Sequence, residues 1–468
     1  MDKVRDNKMQ INTNLKKEHD KQDVKEHYGL FTATTMIIGI VIGSGIFFKS
    51  DDVLIYTGGD IRLGVLVFCI GAFSIIFGSL TLIEFSIRTK KNGGFVGYYE
   101  DFISKNVASG FGWFQTFVYY PSITAVVSWV ASLYVFTLFG IPASLELQII
   151  LGFVLMTILY VLNIISVRIG GHFQNISTVI KLIPLIGFAI IGFFWAAPNP
   201  AIPTGIEVIK KSSVGLRWVA ALTPIAYSYD GWTIATSITN EVRNPKRNMS
   251  LALVIGPLTV LGVYLLYFLG LSNMLGAEYL MSTGNDAVNM AGELIFGSNG
   301  SKIILIFVII AVLGVVNGIT LGSLRMPQAI ASKKMIPNSE KIAMIHPKMG
   351  LSLGSCFIAY VISAVWLVLH YFTQKSGILH GSDVSEISIV FSYTCYIVLY
   401  IKVIKMWKDK TIDSFFKGII CPIFAILGSL IILIGGIVTN PFYVILFMLI
   451  SFMVCLVGYI YYKKVNLK

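Results

Sequence analysis

The chain has 468 residues, 55% of them hydrophobic and only 13% charged, with a mean hydropathy of +0.77 and a formal net charge of +12. That mixture excludes an ordinary soluble domain and marks a membrane protein. The positive charge is accounted for by membrane topology and anionic lipid headgroups, because no basic surface interleaved with aromatics remains for nucleic acid.

A charged tail, residues 1–28, comes first, without the small-residue cleavage signature of a removable signal peptide. Beyond it, a bilayer crossing needs about 20 apolar residues. That criterion predicts twelve spans, at 29–50, 62–87, 110–139, 147–167, 175–197, 217–241, 249–273, 301–331, 351–371, 384–403, 417–437 and 441–462. The expected fold class is therefore an all-α membrane protein with 12 transmembrane helices. Of the 36 Lys and Arg residues, 28 fall on the side shared by the tail and the even-numbered connections, so both termini are expected in the cytoplasm.

The first span carries "GIVIGSGIFF", with Gly43, Ser44 and Gly45 at its centre. Small residues there serve either close helix packing or a break in the helix, and a break at membrane depth is tolerated only beside protein or a wet cavity. The sixth span holds a second such place, "LTPIAYSYDGW", with Pro224, Ser228, Asp230 and Gly231. A mid-membrane Asp costs about 2.5–3.5 kcal/mol unless it faces a polar interior.

Breaks in spans one and six divide the first ten spans into a 5+5 inverted repeat, with discontinuous helices 1 and 6, plus two additional helices, the layout of a transporter whose site lies between the halves. The first span leaves the cytoplasm, so its outer half presents the free amides of Ser44, Gly45 and Ile46 at mid-depth, where they attract a carboxylate. The sixth runs the other way and is expected to present unpaired carbonyls near Tyr227 and Ser228, which attract an ammonium. A ligand bearing both groups on one carbon is an α-amino acid.

These residues resemble the amino acid-polyamine-organocation superfamily, most closely its L-type amino acid transporter branch and bacterial relatives. Further segments carry the likeness: "LIEFSIRTKKNGGFVGYYED" (82–101), which keeps Glu84, Gly93 and Gly94 of the family pattern but departs at Ser86, Lys90 and Asn92, "NEVRNPKRN" after the sixth span, and "GVVNGITLGSLRMPQAIASKKMIP" in the eighth. The resemblance implies amino acid transport by alternating access in a core of residues 29–403, followed by two further spans in 404–468. It places Gly43, Ser44, Gly45 and Ile46 at the substrate carboxylate, Tyr227, Ser228, Tyr229 and Asp230 at the amine and side-chain pocket, and Ile40 and Val41 along that pocket. Tyr227 corresponds to the aromatic that caps the site from outside, and Asn317 is expected near the first span.

Lys181, in "ISTVIKLIPLIGF", either snorkels to the interface or fills the position of a bound sodium ion in sodium-driven relatives, bonding to carbonyls of spans one, five and eight. The second reading implies sodium-independent transport, by exchange or with a proton. Asp230 either caps the inner half-helix or receives a cationic side chain. Small or neutral L-amino acids are the default substrate, with Gly39, Ser44 and Ser228 leaving room for short side chains, and a cationic/neutral exchanger the alternative.

Other functions fare less well. No carboxylate pair, histidine cluster or nucleophile with a base marks an enzyme, and neither cofactor nor metal is expected. A channel would need a continuous polar lining. An amino-acid-sensing receptor on the same fold remains the other alternative.

Cys69, Cys356, Cys395, Cys421 and Cys455 lie in or at the ends of spans. The connection between spans three and four, "GIPASLE", lacks the cysteine through which animal L-type transporters hold a heavy subunit, so no disulfide-linked partner is expected. Membrane lipids and a small-molecule amino acid are the expected contacts, in the plasma (inner) membrane of a bacterium.

Overall fold

The computed structural model describes residues 28–43, 45–89, 94–197, 199–284, 286–379, 383–439 and 441–465. Among these the fold is all-helical, and the only strand-like contact is an isolated bridge between Tyr28 and Val242. Among the described residues, ten helices are long and apolar enough to cross a membrane. They coincide with ten of the predicted spans; the first and sixth are the two without an unbroken helix of that length.

Local capping sets several boundaries that hydropathy misplaces. The third span starts at Lys105 rather than at residue 110, because the Ser104 hydroxyl accepts from the Val107 amide at 3.2 Å. Ser166 likewise accepts from the Ile169 amide, so the fifth span runs Val167–Phe193. Proline at the first helical position opens the seventh, Pro245–Leu275.

The first span is a helix at Leu30–Val41 that ends where Ile42 turns extended, followed by a tight turn at Gly45–Phe48 and a second helix at Ser50–Thr57. The sixth consists of Gly215–Ala221 and Leu222–Tyr227, then a break at Ser228–Gly231, then the 3₁₀ segment Trp232–Glu241. Gly231 has φ of +94°, a conformation that favours glycine. A Cβ on it would stand 2.7 Å from Ile40 Cγ2, so the sixth-span break lies directly against the last turn before the first-span break.

The broken first span is wrapped by the fifth, seventh and eighth. Glycines allow the approach: a Cβ on Gly256 would stand 2.7 Å from Ile37, and one on Gly318 would overlap Ile40.

At the end of the bundle where the described chain begins, the last turns are locked by charge. Arg325, closing the eighth span, forms a buried two-pronged pair with Glu241, its Nη2 donating to Oε2 at 2.8 Å and its Nε to Oε1. Removing one partner of such a pair strands a buried charge and costs about 3–5 kcal/mol. Beside it the Tyr28 amide donates to the Glu241 carbonyl at 2.9 Å, and the Tyr28 hydroxyl to the Val167 carbonyl at 3.0 Å. Glu241 and Arg325 belong to two motifs far apart in sequence, which the fold joins.

Candidate functional site

Lys181 is fully buried, and its ammonium donates to three main-chain carbonyls: Gly39 and Ile42 at 2.7 Å and Ala311 at 3.0 Å. Gly39 and Ile42 flank the end of the first-span helix, where carbonyls lose their intrahelical partners, and Ala311 belongs to the eighth span. The side chain therefore ties three spans together at the break instead of reaching for the membrane surface.

On the far side of the break lies a cavity of about 260 Å³. Ile40, Val41, Gly43, Gly45 and Ile46 line it from the first span, and Tyr227, Ser228, Asp230 and Gly231 from the sixth. Its apolar walls come from the third and eighth spans, including Val126 and Val315, and the start of the tenth contributes Asp383 and Ser385. Ser44 lies outside the described residues. Gly45 borders open space, with nothing within 4 Å of where its Cβ would be.

The carbonyls expected to be free at the sixth-span break are not. The Tyr227 carbonyl accepts from the Asp230 amide at 3.0 Å, and the Ser228 carbonyl accepts from the Tyr264 hydroxyl at 3.0 Å. The same hydroxyl lies 3.2 Å from the Val41 carbonyl, so one phenol bridges the two broken helices. One turn on, the Tyr267 hydroxyl donates to the Phe47 carbonyl at 3.1 Å. Buried carbonyls find donors wherever the fold offers them, and here the seventh span supplies them on both sides of the first-span break.

Asp230 is not a helix cap. The segment after it has no side-chain cap, and the Asp230 Oδ2 accepts instead from the Tyr119 hydroxyl at 3.1 Å. The buried carboxylate also faces the Tyr393 hydroxyl and the Gly231 amide. A carboxylate walled by tyrosines at a cavity keeps unused accepting capacity.

Three expected site residues face elsewhere. Tyr229 points away from the cavity: its hydroxyl donates to the Phe68 carbonyl at 3.3 Å and its ring packs on Tyr264 at 5.0 Å. Asn317 bonds to the fourth and fifth spans, accepting from Asn163 at 2.9 Å and donating to Gly170 at 3.1 Å and Gln174 at 3.0 Å, while its neighbour Gly318 makes the contact with the first span. Gly39 packs against Thr178 and Gln174 and so leaves no room for substrate. Tyr264 is the residue that sequence reasoning missed. The signal was present, since a Tyr hydroxyl buried inside an apolar span requires a partner.

Two broken membrane helices that meet at one cavity form the kind of site that sits between the halves of a transporter. The chain belongs to the amino acid permease family, whose model matches residues 28–461; this is a family of transporters, not of enzymes. It is 28% identical over 421 residues to the serine/threonine exchanger SteT of Bacillus subtilis (strain 168), covering 89% of this chain and 92% of that protein. Similarity to the human large neutral amino acids transporter small subunit 2 is 27% over 380 residues, covering 77% and 69%. To the mouse b(0,+)-type amino acid transporter 1 it is 23% over 458 residues, covering 94% and 89%.

Proposed function

We propose that this protein exchanges small or neutral L-amino acids across the bacterial plasma membrane by alternating access, without sodium. The observation that carries the reading is the meeting of the two breaks at one cavity, with a lysine ammonium bonded to the carbonyls beside it. In this reading the first and sixth spans join the ten unbroken ones to make twelve crossings, five and five in inverted repeat plus two, with both termini in the cytoplasm. Residues 29–403 form the transport core, residues 404–468 hold the last two spans, and residues 1–28 form the tail.

The amides at Gly45 and Ile46 would hold the carboxylate. The Ser228 hydroxyl and the remaining lone pairs of the Val41 and Ser228 carbonyls would hold the amine, sharing them with Tyr264. Lys181 would occupy the place of a coupling cation, and its fixed charge would repel sodium. The cavity's size and its two serines, Ser228 and Ser385, fit a short side chain, and similarity to a serine/threonine exchanger supports that choice. Asp230 favours a second reading, in which its carboxylate at the cavity receives a cationic side chain. No disulfide-linked partner subunit belongs to either reading.

The test uses liposomes containing the purified protein, loaded with single unlabelled amino acids and presented with labelled serine, alanine, leucine or arginine. Uptake that requires an internal amino acid and is unchanged when choline replaces sodium is expected. Concentrative uptake driven by a sodium gradient would overturn the proposal, and uptake confined to arginine and lysine would select the second reading.

A further inference from the structure

A second cavity, of about 360 Å³, lies on the outer surface of the bundle between the third, tenth and twelfth spans. Gly110 and Phe111 of the third span, Phe391, Cys395 and Val398 of the tenth and Phe452 and Leu456 of the twelfth line it. Val398, Phe452 and Leu456 are exposed apolar residues on membrane-crossing helices, so the medium at the mouth is hydrocarbon. A lining with almost no polar atoms does not hold water, and an apolar cavity of about 150 Å³ already accepts benzene.

The helix ends give the crevice a polarity. Ser109 Oγ, near the start of the third span, donates to the Gly458 carbonyl at 2.8 Å, and the Trp113 ring packs on Tyr461 at 5.9 Å, so the first turns of the third span lie beside the last turns of the twelfth. The third span therefore starts where the twelfth ends. The tenth ends on the same side, since Arg88, closing the second span just before the third begins, reaches the Thr411 carbonyl at 3.3 Å. Each of the three helices carries a lysine there, two to four residues from a residue lining the crevice: Lys105 beside Val107, Lys402 beside Val398 and Lys463 beside Tyr459. The i,i+4 spacing of the last two places lysine and lining residue on one helix face. None of the three lysines forms an ion pair with a described residue.

We propose that this crevice is a binding site for one anionic phospholipid, with an acyl chain between the three spans and the phosphate among Lys105, Lys402 and Lys463. The site adjoins the transport pathway. Phe391, which an acyl chain would touch, lies two residues after Ile389 of the central cavity, and its ring packs on Phe114 at 4.7 Å. A chain seated there would steady the tenth span against the third.

The test uses the full-length protein in vesicles of phosphatidylcholine doped with phosphatidylglycerol carrying a photoreactive diazirine on one acyl chain, followed by peptide mapping of the adducts. Adducts are expected on residues 105–111, 391–398 and 452–459 in excess of those on the lipid-facing stretch 153–161 of the fourth span. Lys105→Gln, Lys402→Gln and Lys463→Gln should each lower the yield about fivefold, and Val398→Trp should block it by filling the crevice. The same diazirine chain on phosphatidylcholine should label these residues less and ignore the glutamine substitutions. Labelling no stronger than on the fourth span, or equal for both headgroups and indifferent to the lysines, would overturn the site. Amino acid uptake by the glutamine variants in lipid-rich vesicles serves as the check that they are folded.

Discussion

The two helix breaks that meet at the central cavity are built differently. The first is open: Gly45 borders empty space, and the carbonyls left behind by the helix are satisfied from outside, by Lys181 and Tyr264. The sixth is closed: Gly231 is wedged against Ile40, the Tyr227 carbonyl is bonded within the turn, and Asp230 is held by Tyr119. In the proposed reading the open break offers amides to a ligand, whereas the closed one shapes the wall against which the ligand rests. The difference teaches that the two halves of a dipolar site need not be equally vacant, because only backbone groups without a better partner remain for a solute.

Removing the lysine attacks the open break most directly. Lys181→Ala strands the Gly39 and Ile42 carbonyls at the break, each left unsatisfied at about 1–3 kcal/mol, and counterflow in proteoliposomes should fall by more than about tenfold. A wild-type rate would mean that the break holds its shape without the ammonium. Next in size is a paired test of the two glycines. Gly45→Val should abolish amino acid binding in a scintillation proximity assay while leaving the melting temperature nearly unchanged, since its side chain enters open space. Gly231→Ala should do the reverse in part, lowering stability by about 1–2 kcal/mol through left-handed strain in addition to the contact with Ile40. If both variants lose stability alike, the contrast between the breaks is wrong.

Tyr264→Phe deletes the phenol that joins the breaks. A hydrogen bond of this kind contributes about 0.5–1.5 kcal/mol, so a several-fold rise in KM for exchange is expected, with expression unaffected. The smallest effect on neutral substrates belongs to Asp230→Asn, which keeps the bond from Tyr119 and removes the charge. Exchange of serine or alanine should change less than about threefold, whereas any transport of arginine should vanish; the opposite pattern would give Asp230 a part in binding every substrate.

Much of this was legible along the chain. Gly43 to Gly45 and Ser228 to Gly231 stand out together because small residues at mid-depth serve either close packing or a break, and an aspartate there needs a polar interior. Lys181 leaves two readings along the chain, snorkelling or a bond to carbonyls of neighbouring spans, and only its burial and its three carbonyl partners choose the second. Less legible were the side chains that answer the breaks. Tyr264 and Tyr267 look like ordinary aromatic residues of an apolar span until the register of the seventh helix aims both hydroxyls at the first. The family resemblance places Tyr229 in the pocket and Asn317 near the first span, but side chains one residue apart on a turn or helix point about 100° apart, which sends these two to other partners.

What the sequence determined alone is the environment and the places where helices fail: apolar runs fix helical crossings because lipid leaves the backbone no other way to satisfy its polar groups, and small or charged residues inside those runs fix the interruptions. What only the tertiary structure decided is which freed carbonyls stay free, since that depends on donors from helices distant in sequence, Lys181 of the fifth and Tyr264 of the seventh. Hydrogen bonds act over about 3 Å, and no pattern along a single chain specifies distances of that order between separate helices.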